Sequence, residues 1–289
     1  MAAISASAVK DLREKTGVGM MEAKKALEEA GGDAEKAVDI LRKKGLSAAA
    51  KKAARIASEG MIASAQKGSV GVLIEVNSET DFVAKNEEFQ KFARGLALLA
   101  AEKAPADVAA LSQLTLDGEN VEAKRNALVQ KIGENISIRR FERFQTNDSL
   151  AIYLHGTKIG VMVEYAGGDE QLGKDIAMHI AAANPSYLSR DTVAADAVAR
   201  ERAICEAQAK ETGKPANVIG KIVDGKMEKF YGDNCLLEQI FVKDPDGKQK
   251  VKNILKTATV KRFTRLQLGE GIEKKKADFA EEVAAQLKQ

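Results

Sequence analysis

The sequence contains no tryptophan, and its four tyrosines and nine phenylalanines keep the aromatic fraction at 4%. Proteins that bind single-stranded nucleic acid without sequence preference stack successive bases on aromatic side chains. A stacking platform of this kind is therefore poorly supplied here. Histidine is also scarce, because the chain has only His155 and His179. Two histidines are too few for most metal sites and acid–base sites.

Cysteine and long apolar runs are equally rare. Cys205 and Cys235 alone do not make a disulfide framework, so a reducing compartment is expected. No apolar run approaches the roughly 20 residues that a membrane-spanning helix needs. The stretch from Met1 to Ser5 has neither the basic nor the apolar part of a signal peptide. These absences predict a cytoplasmic protein without a membrane segment.

The overall composition is typical of a globular protein. The chain has 289 residues, of which 45% are hydrophobic and 30% are charged. At about 150 residues per domain, this length favours roughly two domains. The 45 basic and 42 acidic residues leave a formal net charge of +3. A balance this even argues against a protein that coats nucleic acid, because such proteins neutralise many phosphates with Lys and Arg.

Three short helices are predicted in residues 1–45, each bounded by capping residues and glycines. Their signals are a Ser5 or Ser7 cap with a stop at Gly17, a run from Met20 to Ala30, and an Asp33 cap with a stop at Gly45. The stretch from Arg42 to Arg55 is basic and rich in alanine. We interpret it as a helical or loosely ordered linker, either a solvated face or a surface for an acidic partner.

Two later blocks of sequence echo one another. The first starts at Gly71 and the second at Gly160, and each is an apolar strand with a glutamate, Glu75 or Glu164, at its fifth place. Each strand is followed by a loop and an amphipathic helix. The first of these helices is predicted to start at an Asn86 cap and to carry one apolar side, formed by Phe89, Phe92, Leu96 and Leu99. A further strand is predicted over residues 136–144. The pattern predicts two related α+β subdomains packed as one core.

The stretch from Pro185 to Phe230 predicts a helical hairpin that interrupts the second subdomain. Its helices cover Asp191 to Glu211 and Val218 to Phe230, with a turn at Gly213 to Pro215. Beyond it we expect strands over Ile240 to Val242 and Val260 to Leu268, and a closing helix over Asp278 to Gln286.

Motifs for catalysis and nucleotide binding are missing. The stretch Gly220 to Lys226 has the glycine spacing of a phosphate loop, but Met227 replaces the hydroxyl residue that would hold Mg²⁺. His179 lies among apolar residues, where a packed structural histidine is the favoured interpretation. No cofactor, metal or catalytic residue is predicted, and the chain is expected not to be an enzyme.

Two loops carry apolar groups where exposure is expected. Thr80, Asp81, Phe82 and Val83 lie just after a buried strand. Phe82 is either a hydrophobic staple of the following helix or an anchor for a pocket on a partner. The second loop leads into Met20 and Met21, beside Arg13 on the preceding helix, and the two methionines either fill the small helical core or form an adaptable contact surface.

The same residues resemble the elongation factor Ts family of bacterial translation. The resemblance covers almost the whole chain and is most specific in the first two of its motifs. These motifs are Val9 to Leu27, Glu75 to Ala84, Lys131 to Ile136, His155-Gly156, Ile159 to Val161 and Gly269 to Glu273.

This resemblance implies an α+β multi-domain fold with antiparallel sheets. The implied parts are a three-helix domain like the ubiquitin-associated domain plus the basic linker (1–55), a core N-subdomain (56–145), a core C-subdomain (146–186 and 231–270), a coiled-coil or dimerisation hairpin (187–230) and a C-terminal helical module (271–289). It also implies a guanine-nucleotide exchange factor for the GTPase elongation factor Tu, with no nucleotide site of its own.

The resemblance also assigns partner-binding residues. Thr80, Asp81, Phe82 and Val83 would enter the GTPase domain near its Mg²⁺, while Arg13, Met20 and Met21 would grip a helix of the same domain. Ile132 and Gly133 would support the Phe82 contact, and His155 would lie towards another domain of the partner. A homodimer, giving a heterotetramer of two Tu and two Ts chains, stays open. No membrane and no stable nucleic-acid partner are expected.

Two other functions stay open at this stage. One is an RNA-binding protein that uses the basic linker and a tail containing Lys274, Lys275 and Lys276. The other is an enzyme that uses Asp81, His155 or Cys205, which would need these groups to converge in one pocket.

Overall fold

The computed structural model describes residues 4–16 and 18–273. The described chain divides into two compact units: unit 1 has residues 4–16, 18–65, 74–141 and 267–273, and unit 2 has residues 66–73 and 142–266. Helices and antiparallel strand pairs occur together, which confirms the α+β class. The five-part division, the ubiquitin-associated likeness and the coiled coil stay predictions. No helix of the described chain is long and apolar enough to cross a membrane.

Unit 1 begins with three helices, α1 (Ala6–Thr16), α2 (Met20–Glu29) and α3 (Ala34–Lys52). The Ser5 hydroxyl accepts a hydrogen bond from the Ala8 N–H, and Asp33 accepts hydrogen bonds from two backbone N–H groups of α3. Both predicted caps are therefore confirmed. The three helices share a small apolar core that includes Leu12, Leu27 and Leu41.

The predicted stop at Gly45 is wrong, because α3 continues to Lys52 and includes much of the basic stretch. A Cβ atom at Gly45 would lie 2.7 Å from Oε1 of Gln130. Gln130 belongs to α7 (Val121–Ile132). Gly45 therefore lies inside α3, beside the end of the Gln130 side chain of α7, and does not act as a termination signal.

The remaining elements of unit 1 include a three-stranded sheet of order β1–β2–β5. Residues 66–67, 70–73 and 142–145 of its strands are assigned to unit 2. The elements are β1 (Glu59–Lys67), β2 (Val70–Ser78), α4 (Asp81–Ala84), α5 (Glu87–Lys103), α6 (Val108–Gln113), β3 (Thr115–Leu116), β4 (Glu119–Asn120), α7 and β5 (Ile136–Gln145). The predicted apolar face of α5 is confirmed, since Phe89, Phe92, Leu96 and Leu99 are all buried.

Unit 2 contains a second three-stranded sheet, of order β6–β7–β8, with α8 packed on it. Its elements are β6 (Ser149–His155), β7 (Ile159–Ala166), α8 (Glu170–Ala183), α9 (Ala195–Glu211), α10 (Ala216–Asn234), α11 (Val251–Leu255) and β8 (Thr259–Gln267). The strand and helix predicted after Gly160 are therefore confirmed, as is the strand near Val260.

The strand predicted over Ile240 to Val242 is wrong. Ile240 makes an isolated bridge with Lys250, and the N–H of Phe241 donates to the carbonyl of Gln249. The N–H of Val242 donates instead to a ring nitrogen of His179. The hydrogen-bonding groups of this segment are thus used in a local turn and a side-chain contact. The predicted closing helix, Asp278 to Gln286, lies outside the described residues.

Candidate partner-binding site

The Phe82 loop, residues 79–83, leaves the end of β2 and enters the one-turn helix α4. Val83 and Ala84 are buried and anchor this turn to unit 1. The Phe82 side chain points away from that anchor and is 76% exposed. Burial of a phenylalanine side chain is worth about 1.5–3 kcal/mol. The exposure excludes the staple interpretation and shows an uncovered aromatic ring on the surface.

Charged groups flank this ring. The Asp81 carboxylate lies 3.7 Å from the ammonium group of Lys85, which in turn lies 5.7 Å from the centroid of the Phe82 ring. Both charged side chains are exposed. Exposed pairs of this kind contribute little to stability.

Glu134, which is distant in sequence, binds the start of the Phe82 loop. Its carboxylate accepts a hydrogen bond from the Thr80 N–H at 2.9 Å and another from the Thr80 hydroxyl at 2.6 Å. The Ser78 hydroxyl donates to the Thr80 carbonyl at 2.9 Å. The backbone that precedes Phe82 is therefore fixed at several points.

A second hydrogen bond joins the same two segments, and here the acceptor lies in the Phe82 loop. Glu79 accepts a hydrogen bond from the Asn135 N–H at 2.6 Å, and its carboxylate lies 3.5 Å from the Arg55 guanidinium. The Asn135 side chain also donates to the Arg55 carbonyl at 2.8 Å. The Phe82 loop, the turn at residues 133–135 and the end of the basic stretch thus form one polar network.

Gly133 makes that turn possible. It ends α7 in the left-handed region, with φ at +88°, where residues with a Cβ atom are strained. Ile132, just before it, is half-buried, and Gly133 itself is exposed. The structure therefore connects the 133–135 turn with the Phe82 loop through Glu134 and Asn135.

Glu75 stabilises the strand that carries the loop. It is fully buried in β2, and its carboxylate accepts hydrogen bonds from Arg139 at 2.8 Å and Arg140 at 2.7 Å. The Gly269 N–H donates to it at 2.8 Å. Burial alone would raise the pKa of Glu75, but the bonds from Gly269 and the two arginines outweigh it and leave the pKa below its ordinary value.

A second apolar surface lies at the start of α2. Met20 is 58% exposed and Met21 is 63% exposed, and Arg13 on α1 is exposed as well. The small core of the three helices is filled by other residues. The alternative that both methionines fill this core is therefore wrong.

His155 lies in unit 2, at the end of β6. It is exposed, and its Nδ1 atom lies 3.2 Å from the Tyr153 hydroxyl. Its strand pairs with β7 in antiparallel register, so that His155 stands opposite Ile159. It is thus a surface residue at a hairpin end.

Two of the enzyme candidates, Cys205 and His155, lie in different surroundings within unit 2. Cys205 is buried in the core between α9 and α10, whereas His155 is exposed at the sheet end. Burial raises the pKa of the Cys205 and Cys235 thiols, which disfavours the reactive thiolate. The phosphate-loop-like stretch lies inside α10. Residues 4–16 and 18–273 contain no cluster of metal-ligating side chains.

The basic stretch is an exposed helical surface for most of its length. Arg42, Lys43 and Lys51 are exposed on α3, and Lys44 pairs with Glu29. Lys274, Lys275 and Lys276, the tail of the RNA-binding alternative, lie outside the described residues.

Sequence reasoning missed Glu134, Glu79 and Asn135 as individual residues. They occur inside the motifs quoted above, but no local pattern pairs them. The Thr80–Glu134 contact joins residues 54 positions apart, and periodicity carries no information over that separation.

A family model described as elongation factor TS matches residues 79–270. The chain belongs to the elongation factor Ts family. It is 55% identical to the elongation factor Ts of Burkholderia multivorans, 54% to that of Paraburkholderia phymatum and 55% to that of a Janthinobacterium species. Each comparison covers 99% of this chain and 98% of the relative. The family assignment makes the chain a translation elongation factor, a protein of protein biosynthesis, and indicates no enzyme activity.

Proposed function

We propose that the chain is a guanine-nucleotide exchange factor for elongation factor Tu. The observation that carries this proposal is the 76% exposed Phe82 side chain on a one-turn helix tied to its unit. Exposed aromatic side chains on ordered backbone are typical anchors of protein interfaces. The chain's membership of the elongation factor Ts family supports a role in translation.

The proposed mechanism acts on the contacts by which the GTPase holds GDP. A P-loop GTPase holds GDP with backbone amides, a lysine and a Mg²⁺ that bridges protein and phosphate. Insertion of Phe82 into an apolar pocket near this site favours a state in which Mg²⁺ and phosphate contacts are disturbed. Asp81 would act on polar groups around the metal, with Thr80 and Val83 supporting the loop. GDP then leaves, and GTP can bind.

Thermodynamic linkage makes the effect reciprocal. If the factor weakens GDP binding, GDP weakens binding of the factor by the same ratio. Rebinding of either nucleotide therefore expels the factor. It accelerates exchange without choosing its direction, which the cellular concentrations of GTP and GDP determine.

Other residues would hold the complex together. Met20 and Met21, with Arg13, would contribute an adaptable apolar contact on the GTPase domain. Ile132 and Gly133 would support the Phe82 contact, and His155 would meet a second domain. A homodimer through the α9–α10 hairpin would give a heterotetramer of two Tu and two Ts chains.

The test is release of a fluorescent GDP analogue from bacterial elongation factor Tu, with wild-type chain and with Phe82→Ala. The matched control is Leu98→Ala, because Leu98 is also exposed, on α5. Loss of an interface anchor costs about 2 kcal/mol or more, so Phe82→Ala should slow release at least roughly 30-fold relative to wild type. Leu98→Ala should behave as wild type.

The outcomes separate function from mechanism. Acceleration that Phe82→Ala leaves unchanged would keep the function and reject the Phe82 mechanism. No acceleration by folded wild type would overturn the function. An RNA gel shift at two salt concentrations would then examine the RNA-binding alternative, since phosphate contacts weaken steeply with ionic strength.

A further inference from the structure

Thr80 occupies the N-cap position of α4 but does not cap it. Threonine at this position ordinarily accepts a hydrogen bond from the backbone of its own helix. Here the side chain makes no such bond. Its hydroxyl instead donates to Glu134 at 2.6 Å, and its N–H donates to the second oxygen of the same carboxylate at 2.9 Å.

Because the Thr80 side chain binds Glu134, α4 lacks the hydrogen bond of an N-cap side chain. The helix has four residues, and isolated helices shorter than about 12 residues are marginal in water. Order at Asp81 and Phe82 must therefore come from tertiary contacts. On the C-terminal side these are the buried Val83 and Ala84, and on the N-terminal side they are the bonds to Glu134.

The Glu134 carboxylate is well suited to this task. Both of its oxygens are used, each by a different donor of Thr80, and hydrogen bonds to a charged acceptor are roughly twice as strong as neutral ones. The backbone beside Glu134 is also fixed, because the Asn135 N–H donates to Glu79. Hydrogen bonds thus run in both directions between the Phe82 loop and the turn at residues 133–135, and together they restrain the position and the orientation of the Phe82 loop.

We propose that Glu134 is a positioning residue that presents Phe82 to the GTPase in its binding orientation. This inference rests on the proposed exchange function. An exposed side chain on a loop that is ordered in advance avoids the entropy cost of ordering during association. Glu134 acts through Thr80, which precedes Phe82 in the loop.

The experiment compares four single variants in the fluorescent GDP release assay. Glu134→Ala removes the acceptor. Thr80→Val removes only the hydroxyl at nearly constant shape, whereas Thr80→Ser keeps a hydroxyl. Glu142→Ala, an exposed glutamate on β5, is the matched control.

Glu134→Ala should reduce the acceleration about tenfold, as expected for loss of hydrogen bonds to a charged group. Thr80→Val should lose about threefold, and Thr80→Ser, which restores the hydroxyl, should recover most of that loss. Glu142→Ala should remain close to wild type. Wild-type acceleration by Glu134→Ala would overturn the proposal. If Glu134→Ala does not fold, the comparison of Thr80→Val with Thr80→Ser decides: equal rates overturn the proposal.

A double variant separates positioning from general structural support. In the Phe82→Ala background, adding Glu134→Ala should cause little further loss, because the side chain to be positioned is already absent. A full, additive loss in this background would show that Glu134 acts by another route and would overturn the proposal.

Hydrogen exchange of the free protein gives a readout that does not involve elongation factor Tu. The Thr80 amide should exchange faster in Glu134→Ala than in wild type, with the core amides of α5 unchanged. Equal exchange at Thr80 in the two proteins would show that Glu134 does not restrain Thr80 and would overturn the proposal. If wild type fails to accelerate GDP release, the exchange function and the positioning role are both rejected, and the amide measurement still reports whether Glu134 restrains Thr80.

Discussion

His179 lies fully buried in α8, where its two ring nitrogens have different partners. The Val242 N–H donates to Nδ1 at 3.2 Å, which requires Nδ1 to be unprotonated. Nε2 then carries the proton and donates to the Gln239 side-chain oxygen at 3.0 Å. The favoured sequence interpretation, a packed structural histidine, is thus confirmed.

This arrangement predicts a loss of stability in mild acid. Burial lowers the pKa of His179 below its ordinary value of 6.5. As the pH falls, the unfolded chain therefore takes up the proton first. The contribution of His179 is full above pH 6.5 and is lost as the pH falls towards the folded-state pKa. The slope approaches about 1.4 kcal/mol per pH unit.

Urea unfolding between pH 7.5 and pH 5.5 measures this slope. His179→Asn keeps an acceptor for the Val242 N–H but does not titrate, so its unfolding free energy should change less over this range than that of wild type. An unchanged slope in His179→Asn would show that other groups cause the pH dependence.

At the scale of elements, the α9–α10 hairpin has a core of its own. Cys205, Ala209, Val223 and Met227 are buried between its two helices, and the half-buried residues packed against them are also from the hairpin. The hairpin is joined to the rest of unit 2 at its base, where the Leu236 N–H donates to the Tyr187 carbonyl.

A charged cluster reinforces this base. Arg190 makes two hydrogen bonds to Glu228 on α10, at 2.6 and 2.7 Å, and one to Glu238 at 3.2 Å. Lys250 and Lys252 also bind the Glu238 carboxylate. Burial alone would raise the pKa of Glu238, but these three cations lower it to about 2. The joint of the hairpin is therefore polar.

Arg190→Gln should loosen this joint. Because Glu238 would lose one of three charged partners, the unfolding free energy of unit 2 should fall by about 1–2 kcal/mol. Amide exchange should rise at Leu236 and Leu237, whose N–H groups bond the segment at Tyr187 and Leu188. Urea unfolding measures the unfolding free energy, and mass spectrometry measures the amide hydrogen exchange.

The matched control is Arg202→Gln, which breaks an exposed 3.4 Å pair with Asp224 inside the hairpin. Exposed pairs are worth less than about 1 kcal/mol, so this change should leave the base amides protected. Equal effects of the two substitutions would contradict a special role of Arg190.

For the whole molecule, the proposed function assigns different tasks to the two apolar surfaces of unit 1. The Phe82 loop would disturb the nucleotide site, whereas Met20 and Met21 would hold the partner. An interaction that supplies binding alone changes affinity, and one that stabilises the altered state changes the limiting rate.

Titrating elongation factor Tu with increasing factor separates these tasks. The Met20→Ala/Met21→Ala variant should need about tenfold more factor for half-maximal GDP release, with the maximum near that of wild type. Phe82→Ala should instead lower the maximum. A lowered maximum for the methionine variant would show that both surfaces act on the nucleotide site.

The sequence predicted the elements whose signals are local. The apolar spacing of α5, its Asn86 cap and the caps of α1 and α3 all depend on residues a few positions apart. Strands β1 and β6 were not predicted, since their alternation is weak. The pattern of Ile240 to Val242 was misleading, because a strand needs a neighbour that only the folded chain can provide.

The sequence by itself determined the family, the α+β class and the motif that contains Phe82, because these depend on the order of residues. Only the tertiary structure decided that Phe82 is exposed and not a staple, and that α3 continues through Gly45. It alone brought Glu134 to Thr80, across 54 positions of sequence. Burial and long-range hydrogen bonds depend on which segments meet in space, and a local pattern does not encode that.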